Sequence, residues 1–110
     1  MDIDNIKSQM RKGMLDFCVL NILNRRPAYA SEMIGILKDA RLIVVEGTLY
    51  PLLSRLRNDG LLSYSWQEST AGPPRKYYSL TDEGRVVLDA LSATWNDMAG
   101  AVEHLKNENY

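Results

Sequence analysis

The chain has 110 residues, 25% of them charged and 45% apolar, and a formal net charge of −1 at pH 7. That length accommodates one domain, or one domain with an appended helix, and leaves no room for a large catalytic cleft; the composition is that of a globular protein, not a disordered one. The acidic start MDIDNIKSQM does not read as a signal peptide, no apolar run reaches the roughly 18 residues of a membrane span, and the single cysteine, Cys18, cannot form an internal disulfide, so a cytoplasmic protein is expected.

Ile3, Ile6, Met10, Phe17 and Leu20 recur at helical spacing, and the pattern predicts one long helix from about 4 to 24, ending before Pro27. Gly13 inside it marks a bend or a close approach of another helix. ASEMIGILKD (Ala30–Asp39) reads as a second helix with Ser31 as candidate cap, and RLIVV (Arg41–Val45) as a short apolar connector. EGTLYPLLSRLRND (Glu46–Asp59) reads as a third helix, closed by Gly60, with Leu49, Leu52, Leu53 and Leu56 facing the core. LLSYSWQE then alternates as a strand, with Leu62, Tyr64 and Trp66 on one side, and KYYSL (Lys76–Leu80) returns. Tyr77 and Tyr78 point to opposite faces, and the sequence does not say which is core. Thr81 caps a last helix with acids in its first turn, running to about Leu105.

Three helices, a hairpin and a long helix describe a mostly α winged helix-turn-helix domain over residues 1–80, with a C-terminal dimerisation helix over 81–110. The charge distribution permits a nucleic-acid partner despite the acidic total: residues 1–80 hold 11 Lys/Arg against 8 Asp/Glu, and residues 81–110 hold 2 against 6.

Two motifs carry a resemblance. GTLYPLLSRLRNDGLL (Gly47–Leu62) followed by GPPRKYYSLTDEG (Gly72–Gly84) resembles the PadR family of bacterial transcription regulators, in its branch with one C-terminal helix. The likeness spans most of the chain. It departs at AYASEM, where members commonly show a Tyr-Gly pair, and at Arg57, where an acid is common. The resemblance implies a repressor that binds operator DNA and is released by a small molecule or another signal.

The residues support a DNA reader independently of the family. A recognition-helix N-terminus presents amides and partial positive charge to phosphates; there Gly47 allows close approach, Thr48 offers a hydroxyl and a methyl, Tyr50 reaches a phosphate or packs under the wing, and Pro51 gives up a donor at little cost. Ser54 and Arg55 follow on the exposed side, Arg55 as the leading base or phosphate contact. At the hairpin tip the stiff Pro73 and Pro74 present Arg75 and Lys76 to phosphates at low ordering cost, with Gly72 permitting the turn. The plain alternative for each is a solvated helix start and a solvated turn.

Leu88, Leu91, Trp95, Met98, Val102 and Leu105 are spaced 3, 4, 3, 4 and 3 apart, an unbroken seam that with Ile3, Ile6 and Met10 is expected to pack across a homodimer. Trp95, in mid-seam, either anchors the dimer or, with Leu91 and Met98, lines a slot for a planar aromatic effector, as in some small PadR-like regulators. Cys18 is expected in the core and the lone His104 in solvent. No Cys/His cluster fits a zinc site and no Gly-rich loop fits a phosphate, so neither a cofactor nor catalysis is expected. A winged-helix protein–protein module without DNA binding is the competing function.

Overall fold

A computed structural model describes residues 1–108. The order is α1 (Ile3–Arg11), α2 (Met14–Arg25), α3 (Ala30–Asp39), α4 (Glu46–Asn58), β1 (Leu62–Ser69), β2 (Gly72–Leu80) and α5 (Asp82–Asn107). It is a mostly α fold with one antiparallel hairpin and a long C-terminal helix, the winged-helix arrangement expected from the element order.

The single helix expected over 4–24 is two. Asp2 caps the first through its carboxylate, which accepts from the Asn5 amide at 2.9 Å, and the chain breaks at Lys12–Gly13. Gly13 takes φ +88°, a left-handed conformation that costs glycine little and other residues more. Nothing comes within 4 Å of the position its Cβ would occupy, so the glycine serves the break and not a close approach. No residue of α1 is buried, whereas α2 buries Val19, Leu20 and Leu23.

The core joins those residues to Met33 and Leu37 of α3, the four predicted leucines of α4, Leu62 of β1, Tyr78 and Leu80 of β2, and Leu88 of α5. Leu88 was expected in the dimer seam; it is 4% exposed in the core of its own chain and is not available to a partner. The first turns of α5 are drawn in because Thr81 fastens them. Its hydroxyl donates to the Gly60 carbonyl at 2.7 Å and accepts from the Gly84 amide at 3.0 Å. Gly60, at φ +81°, closes α4 as expected. Gly84 lies against the Leu61 carbonyl and the Leu80 side chain, a place with no room for a Cβ.

α3 has the predicted bounds but a different start. Tyr29, not Ser31, is the N-cap residue, and Glu32 reaches back to accept its amide at 3.2 Å, one half of a capping box. In the hairpin Leu62 pairs with Leu80, Tyr64 with Tyr78, Trp66 with Lys76, Gln67 with Arg75 and Ser69 with Gly72, with an irregularity between Gln67 and Ser69. Pro73 and Pro74 fall at that irregularity, where missing donors disturb no regular ladder. Ala28 extends the sheet by one bridge to Tyr78.

Candidate nucleic-acid interface

Four leucines pin α4 to the core, and at 3.6 residues per turn they fix what the rest of the helix presents. Gly47, Pro51, Ser54 and Asn58 form the stripe opposite the leucines, flanked by Thr48 and Arg55 on one side and Tyr50 and Arg57 on the other; all eight are exposed. Pro51 sits in the second turn of α4. The N-cap residue Val45 offers the first amides no side-chain acceptor, while Glu46 places a carboxylate in the first turn, where it offsets the partial positive charge of the helix start.

Arg55 is not a free cation. Its Nη1 and Nη2 donate to the two Asp16 oxygens at 2.9 and 3.0 Å, a bidentate pair across 39 residues that ties α4 to the first turn of α2. Hydrogen bonding to Asp16, with its charge close by, raises the Arg55 pKa.

The wing also differs from its expected form. Because Ser69 pairs with Gly72, the tip is Thr70–Ala71, and Arg75 and Lys76 stand back along β2. Arg75 lies over the Tyr29 ring, with Cζ 4.4 Å from the centroid and Nη1 donating to the Tyr29 hydroxyl at 2.9 Å. Tyr29 meets Tyr77 edge-on, with centroids 5.2 Å apart. Lys76 shares the inner face with Tyr78, its Nζ 3.9 Å from the Tyr64 centroid, and Arg57 approaches the same ring at 4.8 Å. So Tyr78 is the core tyrosine, and Tyr77 packs against the start of α3. Cation–π contacts of this kind orient a charge without neutralising it.

Folding thus brings the two motifs together. A cleft of about 280 Å³ lies between α3, α4 and the wing, bordered by Tyr29, Ser31, Tyr50, Trp66, Pro74, Arg75 and Lys76. Tyr29, Ser31 and Trp66 are the lining residues that local sequence reading did not place at the interface. Trp66 is 64% exposed although its alternation with Leu62 and Tyr64 places it on the inner face.

Along α5, Leu91 is half-buried against the core, while Met98, Val102 and Leu105 are exposed, as are Ile3, Ile6 and Met10 of α1. Trp95 is 43% exposed and tilts against Phe17, with centroids 6.4 Å apart. Cys18 is half-buried, and burial pushes its thiol pKa up.

Residues 19–90 match the model of the transcriptional regulator PadR-like family. The chain belongs to that family. It is 61% identical to a PadR-like transcription factor from Bacteroides fragilis, over 92% of this chain and 98% of that one, with a TM-score of 0.78. A PadR family transcriptional regulator from Eggerthella lenta is 36% identical over 97% of this chain and 94% of its own, with a TM-score of 0.86. A PadR-like transcriptional regulator from Bacillus cereus is 33% identical over 92% and 99%, with a TM-score of 0.81. The PadR family consists of transcriptional regulators, not enzymes. Among the described residues no group of three or more His, Cys, Asp or Glu is gathered to hold a metal, and no helix is long and apolar enough to cross a membrane.

Proposed function

We propose that this PadR-family regulator binds operator DNA as a homodimer and represses transcription until a small molecule or another signal releases it. The observation that carries the DNA reading is the exposed stripe of α4, Gly47, Pro51, Ser54 and Asn58, beside a wing whose Arg75 and Lys76 are oriented by aromatic rings. In this reading α4 enters the major groove, Ser54 and Asn58 meet base edges, Thr48 and Tyr50 flank them, and the wing rides the phosphate backbone. Arg75 and Lys76 grip from midway along the wing, and the tip residues Thr70 and Ala71 reach furthest.

The homodimer reading rests on Ile3, Ile6 and Met10 of α1 together with Leu91, Trp95, Met98, Val102 and Leu105 of α5. An α1 that buries nothing in its own chain gains its apolar contacts from a second copy. Within that seam the Trp95 indole, with Leu91 and Met98 one turn away on either side, is the wall for a planar aromatic effector.

One observation favours the second reading, a protein–protein module: Arg55, Arg57, Arg75 and Lys76 all have partners within the chain. Footprinting on the host's own promoter fragments separates the two. The DNA reading expects two protected half-sites one helical turn, about 34 Å, apart. The absence of protection on every fragment at low salt refutes it.

A further inference from the structure

The break at Gly13 opens a cavity that shares only Thr48 with the proposed DNA-reading face. It measures about 630 Å³ and lies between the α1–α2 junction, the 41–45 connector and the start of α4. That volume is in the range of small-molecule sites. Leu15, Leu42, Ile43, Val45 and Leu52 supply the walls, and among the described residues no aromatic side chain lines it. Ile43 and Val45 are 82% and 66% exposed, an apolar surface left open to water.

The electrostatics of the rim are one-sided. Arg11, Lys12 and Arg41 line the cavity, and none of the three makes a side-chain hydrogen bond or ion pair among the described residues. The one acid in the lining, Asp16, is taken by Arg55. Arg41 holds a left-handed backbone, φ +65°, just after α3, the position where glycine is unstrained. That angle belongs to the helix cap, in which the Arg41 and Leu42 amides donate to the Lys38 and Leu37 carbonyls at 2.9 and 2.7 Å, and it leaves the Arg41 side chain at the cavity rim.

We propose that this cavity binds an aliphatic anion, an unbranched alkyl carboxylate, with its chain along Leu15, Ile43, Val45 and Leu52 and its head at Arg41 and Lys12. Aliphatic walls without rings select a flexible chain over a planar aromatic, which separates this site from the Trp95 seam. Three unpaired cations select an anionic head. A DNA phosphate shares the head chemistry but has no alkyl chain. Thr48 and Leu52 of α4 line the same cavity, so the occupant touches the helix that presents the candidate DNA-reading stripe. The proposal stands whether or not that stripe reads DNA.

The test is calorimetric titration of the full chain with dodecanoate below its micellar range. The expected result is saturable binding of one dodecanoate per chain, weakened at least about tenfold in Lys12→Ala/Arg41→Ala and by a similar factor when dodecanol replaces dodecanoate. Inorganic phosphate at matched ionic strength does not compete, and bound dodecanoate slows alkylation of Cys18, which lines the cavity. Thermal melts confirm that each variant is folded. Four results overturn the proposal: no saturable binding, as when a second copy of the chain fills the cavity; equal binding of dodecanol; displacement by phosphate alone; or wild-type affinity in Lys12→Ala/Arg41→Ala.

Discussion

Asp16→Asn is expected to strengthen DNA binding, most of all non-specific binding, and to steepen its salt dependence. In the wild type the Asp16 carboxylate holds both terminal nitrogens of Arg55, at 2.9 and 3.0 Å, so the pair contributes no net charge beside the candidate recognition face. The amide that replaces it carries no charge and holds Arg55 less strongly, leaving a guanidinium on the flank of α4. If that guanidinium neutralises one phosphate per subunit, the slope of log K against log salt becomes more negative by about 0.9 for one site and about 1.8 for a dimer. Between roughly 50 and 200 mM salt this amounts to about 3.5-fold of extra affinity loss per contact, or about 12-fold for two. Fluorescence anisotropy of a labelled duplex across that range measures it, with Asp16→Asn/Arg55→Ala as the control that returns the slope to or below the wild-type value. A shallower slope, or weaker and less selective binding in Asp16→Asn, refutes the reasoning: Asp16 would then be the buttress that aims Arg55 at a base.

Gly84→Ala places a methyl against the Leu61 carbonyl and Leu80, so it is expected to destabilise by about 1–3 kcal/mol in denaturant melts. Gly35→Ala, on an exposed α3 position with nothing within 4 Å, is expected to stabilise by about 0.5–1 kcal/mol in the same melts. Leu88→Ala is expected to cost about 2–5 kcal/mol as a core truncation, while Val102→Ala, on the exposed part of α5, is expected to weaken self-association in sedimentation at little cost to the protomer fold. Tyr29→Phe removes the acceptor for Arg75 and keeps the ring, and is expected to lower duplex affinity on all sequences alike by less than Arg75→Ala does.

Element types and the core of α4 were legible because they rest on local periodicity: the leucines at 49, 52, 53 and 56 are all buried where spacing put them. What escaped was either a backbone angle or a distant pairing. The apolar spacing of Ile3, Ile6 and Met10 continues in phase past a two-residue break, so periodicity alone read two helices as one. The seam on α5 looks uniform in sequence, yet the helix changes surroundings along its length, and Leu88 belongs to the protomer core. Pro73 and Pro74 suggested a tip, but strand register decides the tip, and prolines at a bulge leave the hairpin to close at Thr70–Ala71. Arg55 with Asp16 and Arg75 with Tyr29 join residues 39 and 46 positions apart, beyond any local pattern. Those two contacts change the site most: the strongest cations of the sequence motifs are held by the protein itself, and the stripe facing outward is Gly47, Pro51, Ser54 and Asn58.

The most direct test of the central claim is one titration: full chain against a duplex selected from the host's promoter DNA and against a scrambled duplex of the same composition, at several salt concentrations. The account predicts tighter binding to the selected duplex, two chains per duplex, and affinities that fall linearly on a log–log salt plot with a slope of about −0.9 per phosphate contacted. Equal affinity for both duplexes, or no binding to either at low salt, contradicts it.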